Sequence, residues 1–203
     1  MANLAKKTIE TTDCSWHAND LLMKTYHDTE WGVPLHDDRK LFEFMVLDAF
    51  QAGLSWRTVL YKRENFRKTL DDFDAEKIAV YDENKIQQLM QDTSIIRNQA
   101  KIRATVINAA AFLRVKEEFG SFDRFIWQFT DYQTIQHHYQ GLSEVPAKSH
   151  ESDAMSLELQ RRGFKFVGST ICYAFMQAAG MINDHMESCP VNPLLRIPQI
   201  PKG

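Results

Sequence analysis

The sequence predicts an all-α fold, and three observations support that class. Apolar residues recur at helical spacing over long stretches, several stretches begin at good N-cap residues or end at glycine, and clean alternation with β-branched residues is scarce. Hydrophobic residues make up 44% and charged residues 25% of the 203-residue chain, as in soluble globular proteins. A chain of this length can bury a sizeable core. We therefore expect a single α-helical domain over residues 14–190.

The helices are expected in the following order. The first strong signal is the nearly all-apolar run from Leu41 to Phe50, which follows the N-cap types Asp37 and Asp38. Further helical patterns lie around Trp56–Leu70, Ala75–Gln91, Gln99–Phe119 and Phe122–Phe129. We expect no strand.

Two more helices are predicted from their capping residues. Ser152 or Asp153 is expected to cap a helix over Ala154–Arg162, with Gly163 as its C′ residue. Thr170 is expected to cap a last long helix over Ile171–Ala179, which Gly180 ends.

The two ends of the chain look like tails. Residues 1–13 contain lysines but no apolar core, so they predict a short flexible tail rather than a secretory signal. Residues 191–203 contain three prolines and predict an extended tail. No apolar run reaches the ~20 residues that a membrane-spanning helix needs.

Composition limits the compartment and the partners. Three cysteines in a chain without a signal argue against a disulfide scaffold and for a reducing, cytoplasmic location. The net charge of −3 indicates no obvious partner, and it counts mildly against non-specific nucleic-acid binding.

Two Cys/His pairs at opposite ends of the chain suggest one zinc site. Cys14 and His27 lie thirteen residues apart, with room for a loop or short helix, and His185 and Cys189 are four apart, on one helical face or around a turn. Zinc takes thiolate and imidazole ligands in closed tetrahedral sites. Two alternatives remain open on spacing alone. The four residues could be ordinary core and surface groups, or Cys14 and Cys189 could form a disulfide.

Three motifs resemble a known family. They are Tyr26–Pro34 (YHDTEWGVP), Gln51–Trp56 (QAGLSW) and Gly163–Tyr173 (GFKFVGSTICY). Together with the terminal Cys/His pairs, they resemble the DNA-3-methyladenine glycosylase I family of the helix-hairpin-helix superfamily, over about Cys14 to Cys189.

The resemblance implies a fold, a metal and a reaction. The fold is a helix-hairpin-helix glycosylase domain in which one structural zinc per chain, held by Cys14, His27, His185 and Cys189, ties the two ends together. The reaction is hydrolysis of the N-glycosidic bond of N3-methyladenine in alkylated double-stranded DNA, without strand cleavage. No cofactor takes part in the chemistry, and one base in one pocket needs only a monomer.

The resemblance also implies an aromatic base pocket. N3-methylated adenine in DNA is cationic, and a cation over an aromatic face gains ~0.5–2 kcal/mol. Trp16, Tyr26, Trp31 and Trp56 are the candidates; core packing is the alternative for each.

Three residues depart from the family pattern near that pocket. Asp48 stands where the family typically has a Glu that reads the base and offers negative charge near the sugar, and its side chain is shorter by about 1.5 Å. A solvent-facing Asp48 on an amphipathic helix is the alternative. Met23 replaces a Tyr that lines the pocket, and Phe50 replaces a Gln. The three changes make the predicted pocket more apolar.

The predicted DNA-binding hairpin, residues 92–102, departs as well. Ser94 and Ala100 replace glycines that allow a close approach to phosphate. Arg97 and Lys101 are candidate backbone contacts, with solvated helix-end charges as the alternative. Lys165 lies in a loop before a helix N-terminus, which can bind an anion. A cluster formed by Lys62, Arg63, Arg67 and Lys68 is a weaker candidate, and Cys172 is expected to be a buried structural residue.

Three functional hypotheses follow. The first is an active glycosylase that uses the aromatic pocket and Asp48. The second is a weakened or retuned family member that binds damaged DNA without efficient excision. The third is a protein-interaction module that has lost DNA binding.

Overall fold

A computed structural model describes residues 14–17 and 19–192. The predicted N-terminal tail and residues 193–203 of the predicted C-terminal tail lie outside the described residues. Within the described part the chain is mostly helical, which confirms the predicted class. The α-helices are α1 Leu21–Thr29, α2 Asp38–Gln51, α3 Trp56–Leu60, α4 Arg63–Thr69, α5 Ala75–Ile78, α6 Glu83–Gln91, α7 Gln99–Phe119, α8 Phe122–Trp127, α9 His150–Arg161 and α10 Ser169–Ala178. Short 3-10 turns cover Ser15–His17, Asp71–Phe73, Gln128–Thr130 and Leu142–Glu144.

The predicted helices are present, but two of them are divided. The pattern over 56–70 forms α3 and α4, and the pattern over 75–91 forms α5 and α6. The second break occurs because Asp82 accepts a hydrogen bond from the backbone of Lys85 and starts a new helix. Helix α1 was not predicted, because its sequence has no apolar stretch. Asp20 caps this helix by accepting hydrogen bonds from the backbone N–H groups of Leu22 and Met23.

Two predicted caps were wrong. Helix α9 begins earlier than expected, because Ser149 forms a capping box with Ser152, which lies inside the first turn. Helix α10 begins at Ser169 after Gly168, with no side-chain cap, so Thr170 is already helical. The predicted ends hold, because Gly163 and Gly180 have φ of +93° and +66°, as a left-handed C′ residue requires.

Helix α2 lies at the centre of the core. Leu41, Phe42, Val46 and Leu47 have no exposed surface. The helix packs against α10, α7 and α3. The turn after α2 leads directly into α3. As a result, residues at the end of α2 and the start of α3 face residues of α10 across a narrow gap.

One small parallel pairing escaped the sequence patterns. Ile135–Gln136 (β1) pairs with Ile182–Asn183 (β2), and two residues per strand are too few to show alternation. Strand β2 leads straight to His185, so it fixes the C-terminal Cys/His pair. Among the described helices, none has the length and apolar character required to cross a membrane.

Candidate active site and metal centre

The four predicted metal ligands come together. Cys14, His27, His185 and Cys189 are all buried, and their ligand atoms lie within 4.8 Å of one another. Sγ of Cys189 is 3.6 Å from Nε2 of His27 and 3.4 Å from Nδ1 of His185, and Sγ of Cys14 is 3.8 Å from the same Nδ1. No disulfide joins the two cysteines. This Cys2His2 cluster could hold a metal ion.

The groups around the cluster suit metal ligands. The other ring nitrogen of His27, Nδ1, lies 2.7 Å from a carboxylate oxygen of Asp28. The other ring nitrogen of His185, Nε2, lies 3.0 Å from the carbonyl oxygen of Trp31. Such partners fix the tautomer and orientation of a ligating imidazole. Each histidine therefore directs its remaining ring nitrogen, Nε2 of His27 and Nδ1 of His185, to the centre of the cluster.

The surroundings of Cys189 favour the thiolate form that metals bind. Hydrogen bonding from Cys14, with further bonds from His185 and His27, lowers the pKa of Cys189 to about 2 despite its burial. The backbone N–H of Met186 donates to Sγ of Cys14 at 3.2 Å. Residues 185–189 form a turn rather than a helix, and the Asn192 amide braces it by donating to the carbonyls of His185 and Met186.

An aromatic cavity lies beside the cluster, and Trp16 and Trp31 separate the two. The ring of Trp16 lies 5.3 Å from His27 and 5.4 Å from Trp31, edge to face. Tyr26 packs against Trp56, with ring centroids 5.0 Å apart. The cavity measures about 190 Å³ and is lined by Trp16, Tyr26, Trp31, Asp48, Gln51, Trp56, Ala174 and Gln177. Pockets that hold drug-sized ligands measure ~300–1,000 Å³, so this smaller cavity suits a single small ring system.

Asp48 contributes a buried carboxyl group to this cavity. The residue is 2% exposed, which excludes the solvent-facing alternative. Burial raises the pKa of Asp48 well above its ordinary value, and the nearby charge of Arg63 offsets this only in part. Within the described structure, Oδ2 of Asp48 and Nε1 of Trp56 are buried without a hydrogen-bond partner. Unpaired buried polar atoms are costly, so two of them at one cavity indicate a ligand site.

A larger cavity of about 520 Å³ lies on the other side of Tyr26. Its two guanidinium groups, those of Arg63 and Arg67, already have partners. The guanidinium of Arg63 contacts Glu43 and also bonds Glu30 at 2.6 Å, and that of Arg67 bonds Glu43 at 2.8 Å. Since these guanidinium groups are paired within the protein, whereas the buried unpaired atoms of Asp48 and Trp56 lie at the smaller cavity, the smaller cavity is the candidate site.

The predicted hairpin lies between α6 and α7. Arg97 is exposed just before the N-terminus of α7, where Asn98 caps the helix by accepting from Lys101 N–H. The side chain of Lys101 points inward, is 6% exposed, and donates to the carbonyl oxygens of Phe50 and Ala52 at 2.8 and 2.6 Å. Its ammonium therefore fastens the hairpin to the end of α2.

Ser94 is also occupied by neighbours within the protein. Its backbone N–H donates to Asp92 at 2.8 Å, and its carbonyl accepts from Lys62 at 2.9 Å and from Asn65 at 3.3 Å. With Lys62 used in this way and Arg63 and Arg67 paired to glutamates, three of the four cations of the cluster are engaged within the protein, and Lys68 is left exposed.

Lys165 lies beside the hairpin. The side chain is exposed, while its backbone is held by Asn108, which accepts from Lys165 N–H at 2.7 Å and donates to its carbonyl at 3.0 Å. Lys165 shares a shallow surface with Ala100 and Arg103 of α7. The fold thus brings Lys165 and the hairpin to one face.

Comparison with known proteins identifies the family. The methyladenine glycosylase profile matches residues 16–192. The chain belongs to the methyladenine glycosylase family. It is 48% identical to DNA-3-methyladenine glycosylase 1 of Escherichia coli over 176 residues, which cover 87% of this chain and 94% of that protein. It is 44% identical to DNA-3-methyladenine glycosylase of Haemophilus influenzae, covering 89% and 97% of the two chains.

A solved structure extends the likeness to three dimensions. The structure of 3-methyladenine DNA glycosylase I from Staphylococcus aureus, which addresses 3-methyladenine recognition, matches with a TM-score of 0.87 at 32% identity. The match covers 91% of this chain and 98% of that one.

The cavity of this methyladenine glycosylase family member differs in part from the predicted pocket. Trp16, Tyr26, Trp31, Asp48 and Trp56 line it, but Met23 and Phe50 do not. Met23 is buried in the core, and the ring of Phe50 turns away to pack on Phe66, 4.6 Å between centroids.

Three cavity residues were missed by sequence reasoning. They are Gln51, Ala174 and Gln177. Helical spacing offered a signal for Gln51, because it lies three residues after Asp48 and so shares its face of α2. Ala174 and Gln177 share a face of α10, but neither lies near a residue that the sequence singled out.

Proposed function

We propose that the protein hydrolyses the N-glycosidic bond of N3-methyladenine in alkylated DNA and leaves the strand uncut. One observation carries the proposal: an aromatic cavity of single-base size that contains the buried, unpaired carboxyl of Asp48. The relatives named above, and the solved structure concerned with 3-methyladenine recognition, support the same base.

The walls of the cavity suit a cationic ring. Its tryptophan and tyrosine rings present electron-rich faces, and each favourable cation–π contact contributes ~0.5–2 kcal/mol. Flipping the base out of the duplex costs a few kcal/mol, which stacking and cation–π contacts offset. A neutral, undamaged base gains less from these walls, so the cavity selects for the alkylated base.

Asp48 supplies the negative charge. In the empty cavity burial favours its protonated form, as the raised pKa shows. An arriving cationic base favours the carboxylate, which then stabilises positive charge on the base and on the sugar as the bond breaks. Nε1 of Trp56 remains available as a donor to the base or to water.

We propose that duplex DNA docks on the face formed by the hairpin and Lys165. The N-terminus of α7 offers backbone N–H groups to a phosphate, and Arg97 and Lys165 are exposed cations beside it. The inward position of Lys101 favours a bracing role, and contacts of Ser94 with phosphate would have to coexist with its bonds to Asp92 and Lys62. One pocket acts on one base, so we propose a monomer.

We propose zinc as the metal, held by Cys14, His27, His185 and Cys189. Zn–S and Zn–N bonds of ~2.3 and ~2.05 Å at a tetrahedral angle place sulfur and nitrogen about 3.6 Å apart. The three sulfur–nitrogen separations of 3.4–3.8 Å fit that value. Four protein ligands leave no open position, so the metal would stabilise the fold and take no part in the reaction.

The experiment is incubation with methylated duplex DNA and chromatography of the released bases. We expect free 3-methyladenine, and strands that break only after alkali cleaves the abasic sites. Asp48→Asn should lower release by about 100-fold, because one preorganised charge near the reacting atoms is lost. Asp48→Glu keeps the charge and should retain activity. Equal release by wild type and Asp48→Asn would refute the role of Asp48.

A weakened enzyme is the second candidate, favoured by the short side chain of Asp48 and its tendency to be neutral in the empty cavity. On that reading the protein would retard DNA containing an abasic site in a gel while releasing little 3-methyladenine. Absence of both retardation and release would instead favour a protein-interaction module.

A further inference from the structure

The side-chain amide of Gln177 is held in one orientation at the edge of the cavity. Its Nε2 donates to Oδ2 of Asp184 at 2.7 Å. Asp184 is fully buried and also receives the hydroxyl of Tyr173 at 2.7 Å and Nδ1 of His137 at 2.6 Å. An acceptor that gathers three donors fixes which end of the amide faces it: the nitrogen.

The amide oxygen therefore points to the other side. Gln177 lines the base cavity. Within the described part of the chain, its Oε1 makes no hydrogen bond, and it is not among the fully buried unpaired atoms. It is thus an accessible acceptor at the cavity. The backbone carbonyl of Gln177 also accepts from Gly32 N–H at 2.9 Å, which fixes this turn of α10 against the segment after Trp31.

We propose that Oε1 of Gln177 is a specificity determinant that accepts a hydrogen bond from the exocyclic amine of the flipped base. A fixed acceptor rewards an amino purine and opposes a keto purine, whose oxygen would face it lone pair to lone pair. The cavity would thus prefer 3-methyladenine to 3-methylguanine. This assignment rests on the glycosylase function proposed above and adds how the base is chosen.

The cavity contains a matched control. Gln51 presents a second amide to the same space, and within the described residues its side chain makes no hydrogen bond. It can rotate to offer either nitrogen or oxygen, so it cannot discriminate between an amine and a carbonyl. The hydrogen bond to Asp184 fixes the amide of Gln177, whereas the amide of Gln51 has no such partner.

The test compares Gln177→Met and Gln51→Met, which replace each amide by an apolar side chain of similar length. DNA methylated to contain both bases is treated with each protein, and kcat/KM is measured for release of 3-methyladenine and 3-methylguanine. Gln177→Met should lower the preference for 3-methyladenine about five- to tenfold, chiefly by slowing its release. Gln51→Met should leave the ratio within about twofold. An unchanged ratio in Gln177→Met, or an equal change in both variants, would overturn the proposal.

A second measurement separates this proposal from the proposed function. Titration of the free bases, followed by tryptophan fluorescence, reports binding without catalysis. Weaker binding of 3-methyladenine but not 3-methylguanine by Gln177→Met would support the assignment even if the wild type releases no base from DNA. Equal weakening for both bases would refute it. Gln177→Ala serves if the Met variant unfolds, since it introduces no added bulk.

Discussion

Replacement of Asp48 by Asn should stabilise the protein by an amount that depends on pH. The two side chains have nearly the same shape, but only Asp48 can ionise. Burial raises the pKa of Asp48 above the ordinary value of 3.8, with the charge of Arg63 as a smaller opposing influence. The folded protein therefore keeps a proton at a pH where the unfolded chain has already released it.

Proton linkage gives the sign and size of the effect of pH on the free energy of unfolding. Where the folded state binds the extra proton, the free energy of unfolding falls as pH rises, by at most about 1.4 kcal/mol per pH unit. This loss begins near pH 3.8 and ends when the pH passes the raised pKa. The Asp48→Asn variant has no ionising group at this position and does not lose this stability. The free energy of unfolding of the variant relative to the wild type should therefore increase with pH over that window.

Urea unfolding at several pH values measures the difference. Other titrating groups are common to both proteins and cancel. The Asn amide can add a constant offset, because its N–H groups enter a site that has no acceptor assigned to them, so the slope against pH is the informative quantity. Parallel stability curves would refute the claim that Asp48 is buried in its protonated form.

Other predictions use the same residues and their neighbours. Release of 3-methyladenine should rise with pH as Asp48 ionises, and the residual release by Asp48→Asn should be independent of pH; a pH–rate profile of each protein checks this. Elemental analysis should find about one zinc per chain, and Cys189→Ser should lose the metal and lower the unfolding midpoint; a metal-free wild type of equal stability would contradict the zinc assignment. Lys101→Met should lower the free energy of unfolding by about 1–3 kcal/mol, because two carbonyl oxygens lose their donor. Arg97→Ala should leave stability unchanged and reduce the salt dependence of DNA binding by about one phosphate contact; the reverse pattern for these two variants would show that their roles are exchanged.

The sequence was most informative where a local signal had a single physical meaning. The capping residue Asp37 and the glycines after α9 and α10 predict helix limits that the structure confirms. A carboxyl group inside the apolar run of residues 41–50 leaves either a buried or a solvent-facing side chain open, and Asp48 is buried. Each of these inferences depends on neighbours within a few residues.

The sequence was least informative where a role depends on a distant partner. Lys101 reads as an exposed basic residue of the hairpin, but its ammonium meets carbonyl oxygens some fifty residues earlier in the chain. Gln177 carries no signal until Asp184 is seen to fix its amide. Phe50 follows Asp48 by two residues, and on a helix that spacing turns it to another face, where it packs on Phe66.

The Cys2His2 cluster meets the cavity at a wall formed by Trp16 and Trp31. The peptide carbonyl of Trp31 bonds His185, and its ring lies 4.7 Å from the same imidazole and 5.4 Å from Trp16. Both tryptophans line the cavity, whereas Asp48 belongs to α2, which is held by the core. For the base that we propose, the cluster would therefore position the tryptophan walls, and the core would position the carboxyl group of Asp48. Separating the two tasks lets α2 keep a buried carboxyl in a rigid place, while the proposed metal ligands Cys14, His27, His185 and Cys189 would hold the first and last described segments together.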